Sequence, residues 1–511
     1  MASRTVILIN PDREKPLVAP LALDYLAAFL RRAGYDPELL DLAFESDWYA
    51  ATNQAVAKRD LLALVILVRH LDDGLYNSQT FFLPKSRTLV EYLRSKTKAP
   101  IILIGGAYSL VPEAIMRFCR ADFGVAGDPE VALPRLFEAL ENGGNYEHIP
   151  NIGWMDGRSF HQNPVETVDL RHEWFAERSF IDNVRYFNES GVTRFETKRG
   201  YQHNEIYSTD PITRGTTLRL RVPEHVAQEV ERLADAGIYS LYADDAYFNE
   251  PYDHALAVCR AMQEHGLRNR VRWYATCTPE CFDEELTEAM VSAGCQGVTI
   301  RANSGDSEQL ARMGHVHTPD DIMASAELCR RAGILTIHEV FIGGPGESRK
   351  SIERTINLMK AANPDMIAIY YGLRIYPNTP LGSVVLTVTP LRDNFHLRGA
   401  IYNNESLLRP VFYIESLLGR GVEEYIEELI DHDPKYLFPF RKDVDKTYNY
   451  NDPTILTEAI LHEGHRGAHW DIWRRLIHKL PPLSLNGDRP SRGKRRPRRV
   501  AQASLTANMA V

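Results

Sequence analysis

"RGYQHNEIYSTDP" (199–211) keeps the spacing of a metal-binding loop without the residues that would bind the metal. With cysteine at 201, 205 and 208 it would read C-x3-C-x2-C, followed by Thr209, Asp210 and Pro211. The chain carries Tyr201, Glu205 and Ser208 there, with His203 and Asn204 inside the loop and Arg199 and Gly200 before it. An iron–sulfur cluster is held by thiolates. Tyrosine and serine hydroxyls keep their protons at neutral pH, and all three replacements offer hard oxygen in place of soft sulfur. The expectation is a loop that kept its outline and lost its cluster.

On either side of this loop the chain alternates short apolar runs with amphipathic segments. "RFETK" (194–198), "YSLYAD" (239–244), "RWYAT" (272–276), "GVTIR" (297–301), "TIHEVFIG" (336–343) and "MIAIYY" (366–371) read as strands, separated by helical stretches such as "PEHVAQEVERLADAG" (223–237). Six such units in series predict a full or partial (β/α) barrel over 190–390, with its site at the carboxyl ends of the strands. Asp244 and Asp245 end the second of these strands, where paired carboxylates hold an ammonium, act as base, or cap the next helix. Upstream, "TVILIN" (5–10), "ALVILV" (63–68), "PIILIG" (100–105) and "DFGVAG" (122–127) are continuous apolar runs that fit parallel strands covered on both faces. They predict a doubly wound, Rossmann-like α/β domain over 1–155, joined to the barrel by a linker, 156–189. Ligands of such sheets lie beyond the strands' carboxyl ends. The candidates there are Asn10, then Arg69, His70 and Leu71, then Gly105, Gly106, Tyr108 and Ser109, and last Gly127. A mixed, mainly helical region follows over 391–480, and a basic tail, 481–511, carries "NGDRPSRGKRRPRRV" (486–500) without apolar periodicity, the pattern of a disordered segment.

The bulk properties exclude several classes. The chain has 511 residues, 44% of them hydrophobic, and a net charge of −9, so it presents no basic face for nucleic acid overall. No run approaches the roughly 18 apolar residues of a membrane helix, and the N-terminus enters a strand with no signal sequence, which predicts a cytoplasmic protein. Of the six cysteines only Cys277 and Cys281 are close in sequence, and two thiols do not complete a cluster or structural zinc site. "HEGHRGAH" spaces His462, His465 and His469 as one helical face would, but Gly464 and Gly467 weaken the helix, and a satisfied or exposed histidine face is the expectation.

Several further motifs, in order, resemble the cobalamin-binding radical S-adenosylmethionine (SAM) enzymes. "PLALDYLAAFLRRAGYDPELLDL", "VRHLDDGLYNSQTFFLP" and "GGAYSLVPEAI" resemble their cobalamin domain; "AGIYSLYADDAYFNEP", "GVTIRANSGDSEQLARMG", "EVFIGGPGESRKSIERTINLM" and "RIYPNTPLG" resemble successive strand ends of their SAM barrel. The resemblance covers roughly residues 1–390. It implies cobalamin above the first sheet, bound without a protein imidazole on cobalt, since the D-x-H-x-x-G loop of other cobalamin proteins is absent. Arg69 and His70 would lie near the cofactor's lower face, where a cation favours the electron-rich cobalt state; an ion pair of Arg69 with Asp72 or Asp73 is the plainer alternative. The segment "RANSG" departs from the family's G-x-E-S-G, with Asn303 in the glutamate position, while Gly343 and Gly344 keep its glycine turn beside SAM. Without cluster ligands, reductive cleavage of SAM is not expected. Two readings follow. One is a cobalamin-dependent enzyme that performs polar methyl transfer on a small metabolite, or another cobalamin-mediated step, with Tyr201, His203, Glu205 and Ser208 lining the vacated space; SAM is then a possible methyl donor and a reductase a possible partner. The other is a catalytically inactive cobalamin-binding relative that pairs with an active paralogue.

Overall fold

The computed structural model describes residues 4–57, 60–171, 177–440 and 454–485; the basic stretch 486–500 lies outside them. Its first sheet contains β1 (Thr5–Asn10), β2 (Asp36–Asp41), β3 (Ala63–Leu67), β4 (Ile101–Ile104), β5 (Phe123–Val125), β6 (Ile152–Asp156) and β7 (Ser159–Gln162), in the order β2-β1-β3-β4-β5-β6-β7. The first five strands run parallel and helices cover both faces, which is why β3 and β4 are buried at every position. Beyond the expected boundary at 155 the sheet continues. β6 pairs antiparallel with β5 and covers its free edge, and Gly157, at φ +56°, turns the chain so that β7 pairs antiparallel with β6. The expected linker therefore contributes a strand, and also a helix, Asn183–Ser190, capped by Asp182.

The second sheet takes β8 (Thr193–Phe195), β11 (Ser240–Ala243), β12 (Arg272–Cys277), β13 (Cys295–Asn303), β14 (Leu335–Ile342), β15 (Met366–Tyr371) and β19 (Tyr436–Leu437) in the order β19-β15-β14-β13-β12-β11-β8, all parallel. It curls into a partial barrel with β8 and β19 as its edges. Six strands were expected; the seventh is only two residues long and carries no signal of its own. A ribbon of β9 (Lys198–Arg199) and β10 (Arg219–Leu220) closes the base of the 200–218 segment. A small antiparallel sheet of β16 (Leu373–Arg374), β17 (Leu397–Gly399) and β18 (Val411–Tyr413) accompanies the helices Val422–Ile430, Thr454–Leu461 and His469–Ile477. Among the described residues no helix is long and apolar enough to cross a membrane.

Buried charge joins the two sheets. Arg178 bonds Asp24 of the first domain and Glu229 of the second, each at 2.7 Å, and Glu229 also accepts from Arg221 at 2.7 Å and Tyr25 at 2.8 Å. Arg199, just before the loop, pairs with Asp128 and Glu130 of the first domain at 3.1 Å. Arg374 pairs with Asp72 at 2.8 Å. These contacts fix how the carboxyl ends of the two sheets face one another.

Candidate active site between the two sheets

Two cavities lie where the sheets meet. The first, about 260 Å³, is lined by Leu17 and Val18 from the loop after β1 and by inward residues of the barrel, among them Arg194, Tyr242, Asp244, Thr276, Thr299 and Glu339. The second, about 290 Å³, is lined by residues 73–77 from the loop after β3 and by Tyr207–Asp210 of the cysteine-free loop. Asp210, Arg301 and Tyr370 face both. His70 is open to water yet enclosed by charge from both domains: Arg69 and Asp12 on one side, Arg194 and Asp244 on the other. That enclosure, with the neighbouring Arg69 cation, pushes its imidazole down to about 4, so His70 is neutral at pH 7.

Arg69 does not pair with Asp72 or Asp73. It reaches across the strand ends to Asp12 and to the Val18 carbonyl at 3.1 Å, and its Nε is buried without a partner. Asp72 is taken by Arg374, and Asp73 accepts from Ser78 and the Thr80 N–H within its own turn. Several other expected cofactor contacts are occupied inside the first domain. Asn10 donates to Asp41 and Tyr186, each at 2.9 Å. Leu71 is core. Ser109 donates to the Gly105 carbonyl and accepts from the Gly127 N–H at 2.9 Å. Tyr108 points away from the inter-sheet space and fills a slot over Gly124 and Gly153, where a Cβ on Gly124 would sit 2.0 Å from its ring. Gly105, at φ +110°, is required by the Val68 carbonyl, which a Cβ would meet at 2.6 Å, whereas Gly106 would tolerate a Cβ, its nearest neighbour 3.7 Å away. Of the expected first-domain residues, Arg69 and His70 thus lie nearest the barrel, with His70 beside Arg194 and Asp244 of the first cavity's wall.

In the barrel, Asp244 pairs with Arg194 on the cavity wall, while Arg214 donates to its backbone carbonyl. Asp245 is closed off: it accepts from the Thr197 and Lys198 N–H groups, the Thr197 hydroxyl and, at 2.9 Å, the Lys198 ammonium. It holds an ammonium, as expected of the pair, but one supplied by its own chain, and neither aspartate caps the next helix, which starts at Tyr252. Asn303 is fully buried at φ +60° and accepts from Tyr207 at 2.7 Å, which ties "RANSG" to the loop. Gly343 turns at φ +102°. Beside Gly344 lies the buried amide of Gln309, whose nitrogen a Cβ on Gly344 would meet at 2.7 Å and whose polar atoms both lack partners.

The loop itself is a packed polar cluster. Tyr201 is 2% exposed; its N–H bonds the Gly215 carbonyl and its hydroxyl lies 3.3 Å from that of Tyr247. Tyr247 donates to Glu205 at 3.0 Å, and His315 lies 3.8 Å from the same carboxylate. The second Glu205 oxygen is buried with no partner. Ser208 is buried, its N–H on the Glu205 carbonyl and its hydroxyl accepting from the Asp210 N–H. His203 bonds Glu250, which also accepts from the Cys281 thiol at 3.3 Å. Glu280 lies 3.7 Å from His317 and accepts from Thr278. Burial pushes His315 down to about 3 and the Cys281 thiol up to about 12, the latter with help from Glu250. This donor set is carboxylate, phenol and imidazole, and it does not match the thiolates a cluster requires. Cys277 does not join Cys281, because alternation along β12 turns it outward into the helix-packed core. His462, His465 and His469 are not one helical face either, since 462–468 is the connection between two helices.

Tyr247, Glu250, Glu280, His315, His317 and Gln309 were not singled out from the sequence. Five of them sit in "AYFNEP" and "CTPEC", just past the carboxyl ends of β11 and β12, or in "GHVHTP", and a search of these segments for acids and imidazoles would have found all five except Tyr247.

The sequence profile of the radical SAM superfamily matches residues 201–359. The chain is 27% identical over 436 residues to the tryptophan 2-C-methyltransferase of Streptomyces laurentii, 73% of each protein being covered. It is 24% identical over 414 residues to the cytidylyl-2-hydroxyethylphosphonate methyltransferase of Streptomyces wedmorensis, covering 68% of this chain and 75% of that one. Among solved structures it resembles the radical SAM methyltransferase TsrM of Kitasatospora setae with tryptophan and a SAM analogue bound, at TM-score 0.87 and 26% identity, over 93% of this chain and 99% of that one. A second structure of TsrM, with cobalamin and a [4Fe–4S] cluster bound, matches at TM-score 0.84 and 24% identity, over 93% and 98%.

Proposed function

We propose that this chain, a member of the cobalamin-binding radical SAM family, is a cobalamin- and SAM-dependent methyltransferase that works on a small molecule by a polar route, without an iron–sulfur cluster. The observation that carries this reading is the loop: Tyr201, Glu205 and Ser208 are buried and bonded into a polar cluster at the three positions where thiolates would stand. Likeness to methyltransferases over most of the chain supports the reaction class.

The inter-sheet space fits a broad cofactor with polar edges. Loops from both domains line it, His70 is enclosed but accessible, and the Arg69 Nε is buried and unpartnered. Arg69 and His70 would border cobalamin on the first-domain side; the orphaned Gln309 amide beside Gly344 fits a polar group of SAM. Bound cobalamin supplies methyl-carrying chemistry by successive displacements, which needs no radical initiator.

The protein's part is positioning, charge and proton handling. Asp12 and the Val18 carbonyl hold the Arg69 cation at the strand ends, and neutral His70 beside it adds no second positive charge. Asp244 and Arg194 form a paired, net-neutral wall of the barrel cavity. Glu205, 3% exposed with one oxygen on Tyr247 and the other unpaired, would serve as the base for a proton relayed from the loop side. A reductase that prepares the cofactor is a further part of the proposal.

The test uses full-length protein loaded with cobalamin and reduced chemically, with methyl-labelled SAM. A polar route forms S-adenosylhomocysteine in amounts matching bound cobalamin and no 5′-deoxyadenosine. Arg69→Ala is expected to slow this at least tenfold. Deoxyadenosine as the main product would overturn the polar route; failure to bind either cofactor would favour an inactive partner protein.

A further inference from the structure

His203, Glu250 and Glu280 come from three separate segments: the cysteine-free loop and the connections after β11 and β12. One ligand atom from each lies within 4.8 Å of the other two. We propose that these three side chains bind a single divalent transition-metal ion, zinc as the first candidate. The site lies in the loop described above and rests on the reading that this loop holds no cluster.

The chemistry suits such an ion. One imidazole nitrogen and two carboxylate oxygens form a borderline-to-hard donor set, and two carboxylates balance a divalent charge. Tetrahedral ligands on zinc sit about 3.4 Å apart for bonds of about 2.1 Å, so the side chains close on an ion by small rotations. His203, Glu250 and Glu280 keep 15%, 25% and 20% of their side-chain surface, which leaves a coordination position open to water or substrate. That arrangement, three protein ligands and one free position, is the catalytic rather than the structural pattern.

Two independent observations point at a missing cation. The Glu280 Oε1 is buried with no hydrogen-bond partner. Glu205, 3% exposed and close enough for its charge to act on His203 and His317, also has a buried oxygen with no partner. Unsatisfied buried carboxylate oxygens are costly, and a cation among them removes the cost. The surroundings already orient the ligands: Tyr247 packs on the His203 ring with centroids 4.8 Å apart, the Cys281 thiol bonds Glu250, and Thr278 bonds Glu280.

Full-length protein is stripped with a chelator and titrated with Zn2+ by calorimetry, with bound zinc, iron and acid-labile sulfide measured in parallel. One zinc per chain is expected, with affinity lowered at least 100-fold in Glu280→Gln and in His203→Asn while their circular dichroism stays that of the parent. His265→Asn is the control, because His265 also lies between two glutamates, Glu224 and Glu231, on the surface far from the loop in sequence. No stoichiometric zinc, or a loss caused by His265→Asn rather than His203→Asn, would overturn the site and leave the cluster-free reading standing. Sulfide matching bound iron would overturn the cluster-free reading and the zinc site with it.

Discussion

Glu347, in the glycine turn "GGPGES", shows how a single buried carboxyl sets a pH dependence. Burial pushes it up to about 7, Asp306 adds to the shift, and bonds from Ser351 and backbone N–H groups only partly oppose it. Its folded value lies above the ordinary 4.5, so ionisation costs the folded state: nothing well below 4.5, increasingly as pH rises to 7, and fully above. Glu347→Gln, measured by chemical unfolding, should therefore gain on the parent as pH rises from 4.5 and level off above 7, by up to about 3 kcal/mol. A difference that does not change with pH would show that Glu347 is ionised in the fold. The sequence revealed this residue as part of a turn but not its burial. The same holds at the site. Tyr201, Glu205 and Ser208 were legible as replacements because spacing is a property of the chain. Glu250 and Glu280 could be read only as strand-end acids, because only folding brings them to His203.

At the scale of elements, the apolar strand runs were readable because strands covered on both faces need continuous hydrophobicity. The short strands were not. β19 has two residues, and β9 and β10 pair only because Gly200, at φ +113°, lets the loop backbone pass Thr217, whose carbonyl a Cβ would meet at 2.2 Å. The segment expected as a linker instead carries the lock between the sheets. Asp24, in the helix Leu21–Arg32, accepts from Arg178, Asn183 and the Phe180 N–H, all of them buried or partly so. Asp24→Ala leaves the Arg178 charge with one of its two carboxylate partners and should cost about 3–5 kcal/mol in unfolding measurements. A loss under about 1 kcal/mol would mean that Glu229 alone satisfies Arg178.

For the whole molecule, the plan of a doubly wound sheet followed by a partial barrel was legible from periodicity and motif order. Their relative placement was not, since it depends on pairs such as Arg374 with Asp72 and Arg199 with Glu130 that lie 302 and 69 residues apart. That placement puts the cysteine-free loop beside both cavities, so its chemistry decides what the molecule does. The direct measurement is metal and sulfide content after anaerobic reconstitution of the full chain with iron, sulfide and cobalamin. A cobalamin-dependent enzyme without a cluster retains about one cobalt per chain, with a corrin spectrum, and neither iron nor acid-labile sulfide in stoichiometric amount. About four irons and four sulfides per chain, the content of a [4Fe–4S] cluster, would contradict it.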